Sequence, residues 1–138
     1  MKPVSTTESN TALVQALYAA FLRGDIQTVL DNLTPDIDWQ PIGPAKDFPL
    51  FTPRHGRNEI LRFFEDLSES HTFTEFSPQE YMASGDKVVV LGHYAMTFNR
   101  SGRNAATDWA MVFTIREGKI CRFREHTDSA KLVEAYRG

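Results

Sequence analysis

The sequence has a single cysteine, Cys121, and no long apolar stretch. One cysteine excludes an intrachain disulfide and any cysteine-rich metal site, and it fits a reducing compartment, so we expect a cytoplasmic protein. The longest apolar stretch, residues 12–22, is interrupted by Gln15 and is far shorter than the ~20 residues that span a bilayer. We therefore expect no membrane association.

An excess of positive charge is also absent. Fifteen Lys and Arg stand against eighteen Asp and Glu, which gives a net charge of −3. The chain therefore offers no general attraction to the phosphates of nucleic acid, and we expect no nucleic-acid partner.

Motifs of cofactor chemistry are missing as well. There is no glycine-rich phosphate loop and no Gly-x-Ser-x-Gly, which removes nucleotide-binding and serine-hydrolase interpretations. The four histidines show no metal-ligand spacing. We predict neither a cofactor nor a metal.

What the chain has in quantity is apolar and aromatic surface. Hydrophobic residues make up 41% of its 138 residues and include ten Phe, enough for one core and too much for a disordered chain. We predict one domain over residues 9–138, preceded by a flexible tail of residues 1–8.

Helical patterns fill the first half of the chain. Apolar residues recur at helical spacing over 9–23 and 58–69, and Asp25 caps a shorter helix that Thr34 and Pro35 end. A brief strand is predicted at 37–40. The proline-rich residues 41–56 then form an unusually long loop, a candidate rim for a pocket.

Beyond His71 the apolar period changes from 3.6 to 2. Strands are predicted from residue 73, over 87–98, 105–116 and 120–127, with Pro78 marking a bulge or an edge strand. A short helix capped by Asp128 or Ser129 closes the chain. Helices followed by an antiparallel meander indicate an α+β fold, in which helices cover one face of a sheet.

Strand alternation predicts which side chains face the helices. In the last strand the arginines at 122 and 124 mark the outer face, so Phe123, Glu125 and Cys121 face inward. Burial raises the pKa of a carboxyl toward the range useful for acid–base catalysis. Glu125 is therefore a candidate catalytic base. In the alternative interpretation, Glu125 lies at the rim of the pocket and pairs with an arginine.

Two further positions stay open from the pattern alone. Residues 88–96 are apolar on both faces, so the pattern does not decide whether His93 or Tyr94 faces inward, and a histidine would be suited to proton transfer. Asp38 shares a strand face with Gln40 and is either a second acid or an edge residue.

Five segments together resemble a known family: YAAFLRGDI at 18–26, LTPDIDW at 33–39, SGDKVVV at 84–90, WAMVFTIREGKI at 109–120 and REHTD at 124–128. They are similar to the SnoaL-like branch of the nuclear transport factor 2 superfamily, across residues 9–136. The resemblance implies a cone of curved antiparallel sheet packed by three N-terminal helices around a central pocket. It also implies homodimers formed through the outer sheet face. The superfamily includes isomerases, cyclases, hydrolases, dehydratases and non-catalytic binding domains.

Most catalytic sets of these relatives are not retained. The tyrosine and the two aspartates of ketosteroid isomerases fall on Leu17, Gln40 and Met111. The Arg-x-Asp of limonene epoxide hydrolases falls near His93, and only their last aspartate matches, at Asp128. SnoaL-type polyketide cyclases use an acidic residue of the last strand as base, and Glu125 falls at or near that place.

We therefore predict a domain that binds a small, mostly apolar and aromatic molecule. If the protein is an enzyme, Glu125 abstracts a proton next to a carbonyl without a cofactor, with Asp38 and His93 as further catalytic candidates. The alternative is a non-catalytic binding or dimerisation module. The residues predicted to bind the ligand are Leu17, Tyr18, Gln40, Phe63, Tyr94, Trp109, Met111, Phe113, Phe123 and Asp128.

Overall fold

The computed structural model describes residues 6–138, so residues 1–5 of the predicted tail lie outside the described residues. The helices are α1 (Thr7–Leu22), α2 (Ile26–Asp31), a 3₁₀ turn (Pro49–Phe51), α3 (Gly56–Ser70) and α4 (Ser129–Arg137). The strands are β1 (Leu33–Pro41), β2 (Arg54–His55), β3 (His71–Ser84), β4 (Lys87–Phe98), β5 (Asn104–Arg116) and β6 (Lys119–Thr127).

The first helix begins earlier than the sequence predicts. Thr6 forms a capping box with Ser9, in which each side-chain oxygen accepts from the other residue's backbone N–H at 2.9 and 3.0 Å. Thr7 and Glu8 are consequently helical, so the first helix extends two residues into the segment predicted as a tail.

The strands form one curved, unclosed sheet in the order β2-β1-β6-β5-β4-β3 within residues 6–138. Neighbouring strands are antiparallel except β1 and β6, which run parallel. The α+β prediction is confirmed, but the sheet is mixed where a purely antiparallel one was expected. The chain between β1 and β6 contains α3 and the whole meander, and a connection of that length permits parallel pairing.

Helices α1 and α3 pack against the inner face of this sheet. Alternate residues of β4 and β5 are buried on that face, as the period of 2 predicts. Strand β3 lies at the edge of the sheet, and its register shifts at Pro78, as predicted for a proline that cannot donate to the ladder.

The alternation in β6 is broken by an irregularity opposite Thr114. There Ile120 is fully buried, whereas Cys121 is partly exposed and its thiol lies 3.5 Å from the Thr114 carbonyl oxygen. An extra residue in one strand inverts the alternation locally, so the inward prediction for Cys121 is wrong. Phe123, beyond the bulge, faces inward as predicted.

The long loop after β1 folds under the helices. Phe48, Leu50 and Phe51 are buried, and Gly43 lies so close to Phe51 that a side chain there would overlap the ring. The predicted 41–56 loop thus contributes apolar residues to the interior. None of the helices formed by residues 6–138 has both the length and the apolar character needed to cross a membrane.

Candidate functional site

A cavity lies between the inner face of the sheet, helices α1 and α3, and the long loop. The space open to the centre of a water-sized molecule is about 80 Å³. Its walls are mostly aromatic and aliphatic, and α4 contributes Leu132. Apolar walls with few polar groups are typical of sites for small organic ligands.

The structure brings most of the predicted site residues to this cavity. The helices contribute Leu17, Tyr18 and Phe63. The sheet contributes Tyr94, Met111, Phe113, Phe123 and Glu125.

Glu125 and Tyr94 form the polar centre of the cavity. The Tyr94 hydroxyl lies 2.7 Å from Oε2 of Glu125 and 3.1 Å from Oγ1 of Thr127. A phenol has one proton, so Tyr94 donates to the ionised carboxylate and accepts from Thr127. Since β5 separates β4 from β6, this contact links two strands that are not neighbours.

The surroundings of Glu125 favour its neutral form. Burial raises its pKa from 4.5 to about 7, and the hydrogen bond from Tyr94 opposes that rise only in part. Glu125 is nevertheless partly accessible to solvent. A carboxyl with such a pKa is present in both protonation states near neutral pH, as a catalytic acid or base requires.

Tyr18 occupies the opposite wall. Its hydroxyl lies 3.0 Å from the Met111 sulfur. Burial, with smaller contributions from Tyr81 and Glu125, raises the pKa of Tyr18 far above its usual value. Tyr18 is therefore a neutral donor.

Two predicted catalytic residues do not reach the cavity. His93 lies on the outer face, with Nδ1 2.8 Å from Oδ1 of the exposed Asp108. Asp38 also lies outside, with Oδ2 3.0 Å from Nη2 of Arg124. The hydrogen bond from Arg124 lowers the pKa of Asp38, opposite to what a proton donor needs. Between His93 and Tyr94, the structure brings Tyr94 inward.

Three predicted ligand-binding residues are also displaced from the cavity surface. Gln40 follows the outer face that Asp38 marks, because its β1 neighbours Trp39 and Pro41 are the buried ones. Asp128 caps α4, accepting from the Lys131 N–H at 3.3 Å. Trp109 is buried beside Tyr94, with ring centroids 6.1 Å apart, and forms the layer behind the wall.

The predicted site residues leave out several residues of the cavity wall, Trp39 and His71 among them. Trp39 stacks on Phe123 at 3.9 Å between ring centroids, and His71 lines the cavity at the start of β3. The sequence contains a pattern that indicates His71: it is two residues before Phe73, so the two side chains face the same side of the strand. Among the described residues, no group of three or more His, Cys, Asp or Glu could hold a metal ion.

Comparisons with known proteins agree on the family. The model of the SnoaL-like domain matches residues 14–123. A search of curated proteins found no match.

Solved structures resemble the chain over nearly its whole length. An NTF2-like protein from Burkholderia xenovorans LB400 is 27% identical, with a TM-score of 0.87 over 95% of this chain and 98% of that one. An NTF2-like protein of unknown function from Burkholderia pseudomallei K96243 is 29% identical, with a TM-score of 0.85 over 94% and 98%. TerC, co-crystallised with polyporic acid, is 27% identical, with a TM-score of 0.85 over 94% and 99%.

Proposed function

Because the chain belongs to the SnoaL-like domain family, we propose that it binds a small, mostly apolar aromatic molecule and that Glu125 moves a proton at a carbon next to a carbonyl. The observation that carries the proposal is the Glu125 carboxyl, set in an apolar cavity with a pKa of about 7 and a neutral hydrogen-bond donor, Tyr94, 2.7 Å away.

The chemistry of the cavity supports an aromatic ligand. Flat rings bind well against an aromatic wall, and Trp39 forms such a wall with Phe123 and Phe63, at centroid distances of 3.9 and 5.7 Å. TerC was co-crystallised with polyporic acid. A mostly aromatic wall with one titratable carboxyl suits small aromatic molecules.

The proposed step needs no cofactor. Ionised Glu125 takes the proton from carbon, the C–H electron pair forms a C=C bond, and the carbonyl π pair moves to oxygen. The hydroxyl of Tyr94 donates to the resulting enolate oxygen. Protonated Glu125 donates to the Tyr94 oxygen in turn, and returning the proton to carbon completes an exchange or an isomerisation.

A binding module without turnover is the second candidate. Among the residues that line the cavity, Glu125 is the one carboxylate. Asp38 and His93 lie on the outer face, so neither supplies a second acid or base to the cavity. A cavity with one carboxylate suits binding without turnover.

Deuterium exchange separates the two candidates. Acetophenone has an aromatic ring and acidic methyl protons next to a carbonyl, and NMR in D₂O measures their exchange. We expect exchange above the buffer rate with the wild type and with the matched control Glu80→Gln, whose residue is exposed on β3. Glu125→Gln should abolish it.

The other outcomes are decisive. Binding of acetophenone without exchange by the wild type favours the non-catalytic module. Exchange by Glu125→Gln at the wild-type rate refutes the role of Glu125.

We also propose that two copies associate through the outer face of β4–β6. Val89, Leu91 and Val112 leave half-buried apolar surface there. Sedimentation should show a dimer for the wild type and a monomer for Val112→Glu. A wild-type monomer at assay concentration refutes this association.

A further inference from the structure

His71 is a polar residue of the cavity that the proposed function does not use. It is the first residue of β3 and is only 6% exposed. Its ring packs edge-on against Phe73 and Phe98, at centroid distances of 4.9 and 5.2 Å. The imidazole is therefore held in place by neighbouring aromatic rings at the surface of the cavity.

The hydrogen bonding of this ring is incomplete. Nδ1 lies 3.0 Å from Oγ of Ser70, whereas Nε2 has no partner within residues 6–138. Nε2 is not one of the fully buried side-chain atoms that lack a partner, so it keeps some accessible surface although the residue as a whole is buried. An unpaired nitrogen on a cavity wall points to a group that a ligand supplies.

The ring is neutral under ordinary conditions. Burial lowers the pKa of His71 to about 4, so the imidazole carries one N–H and one lone pair near neutral pH. Ser70 can donate to Nδ1 or accept from it, which leaves Nε2 as a donor or an acceptor respectively. A hydroxyl group fits either tautomer, because it both donates and accepts. A charged group would be buried against the ring without a counter-charge.

His71 and the Glu125 end of the cavity lie at different points along β4. On β4, Tyr94 and Phe98 both face inward, and Phe98 pairs with His71. Four residues of strand separate these two backbone positions by about 13 Å, so the two polar groups contact different parts of one ligand.

We propose that Nε2 of His71 binds a ligand hydroxyl, so that the cavity takes an aromatic carbonyl compound with a hydroxyl group at the end remote from the carbonyl. The carbonyl lies at Tyr94 and Glu125 and the hydroxyl at His71. This inference rests on the proposed function, since it assigns the second end of the same ligand.

Calorimetry with a matched pair of compounds tests it. Acetophenone and 4-hydroxyacetophenone differ only in the hydroxyl at the far end of the ring. One net hydrogen bond corresponds to about tenfold in affinity, so the wild type should prefer 4-hydroxyacetophenone by about that factor. His71→Phe keeps an aromatic ring but removes the nitrogen, and the preference should fall to about one.

A control variant and a second measurement complete the design. His55→Phe makes the same substitution at an exposed position outside the cavity and should keep the wild-type preference. If His71→Phe does not fold, ¹⁵N NMR of the wild-type imidazole replaces it. The Nε2 shift should then move with 4-hydroxyacetophenone and stay unchanged with acetophenone.

The outcomes distinguish this inference from the proposed function. Equal affinity of the wild type for both compounds overturns the role of His71 and leaves aromatic binding intact. An undiminished preference in His71→Phe, or an Nε2 shift that does not move, overturns it in the same way. No binding of either compound to the wild type overturns both proposals.

Discussion

Replacing Glu125 with glutamine is expected to remove a pH-dependent destabilisation of the folded protein. The pKa of Glu125 rises from 4.5 in the unfolded chain to about 7 in the fold. Each unit of difference corresponds to 1.36 kcal/mol, so the penalty for ionising this carboxyl in the fold reaches about 3 kcal/mol. Partial access of solvent to the residue makes that an upper value.

The direction of the effect follows from which state binds the proton. At low pH the Glu125 carboxyl is neutral in both the folded and the unfolded protein, so its ionisation does not lower the free energy of unfolding. As pH rises from 4.5 through about 7, the unfolded chain releases the proton first, so the free energy of unfolding falls. The wild type should therefore lose up to about 3 kcal/mol relative to Glu125→Gln between about pH 4 and about pH 8.

Urea unfolding at several pH values measures this difference. A new hydrogen bond or an unpaired amide in Glu125→Gln changes its free energy of unfolding by the same amount at every pH. The predicted effect is instead a difference between the two proteins that changes with pH. Other titrating groups are common to both proteins and cancel in the comparison. Glu80→Gln, the exposed control, should run parallel to the wild type. A wild-type difference from Glu125→Gln that is flat across this range would show that Glu125 titrates as a solvated carboxyl, and would refute its role as a base near neutral pH.

Three further predictions test other parts of the structure. Because burial lowers the pKa of His71 from 6.5 to about 4, the wild type should lose stability relative to His71→Phe as pH falls through that interval, and urea unfolding that shows no such loss contradicts the burial of the ring. Gly92→Ala places a methyl group in the volume of the Trp109 ring and should cost about 1–3 kcal/mol, with a changed near-ultraviolet circular dichroism spectrum; wild-type stability would contradict the close packing. Asp128→Ala removes the cap of α4 and should cost about 1 kcal/mol in thermal unfolding, while Asp128→Asn should stay near the wild type; equal losses would contradict capping.

The regular strands were the most predictable part of the fold. In β5 the alternation identified Met111 and Phe113 as inward residues, because an antiparallel strand with one covered face shows its burial in its sequence. The change of period at His71 located the start of β3 for the same reason. Local patterns of this kind depend only on backbone geometry.

Features that depend on distant residues were not predictable. The bulge at Cys121 inverts an alternation that the sequence shows as continuous. Asp38 became an outer-face ion pair because β1 lies parallel to β6 and next to Arg124, a neighbour that is 86 positions away. The contact between Tyr94 and Glu125 requires the register of three strands, which no single segment encodes.

The placement of the two tryptophans allows intrinsic fluorescence to report on ligand binding. The chain contains only Trp39 and Trp109. Trp39 forms part of the cavity wall and Trp109 lies in the layer behind it, beside Tyr94. Intrinsic indole emission therefore originates at the cavity wall and in the layer directly behind it, so an aromatic compound that enters the cavity changes that emission without any attached dye. Screening for the natural ligand can begin with unlabelled protein.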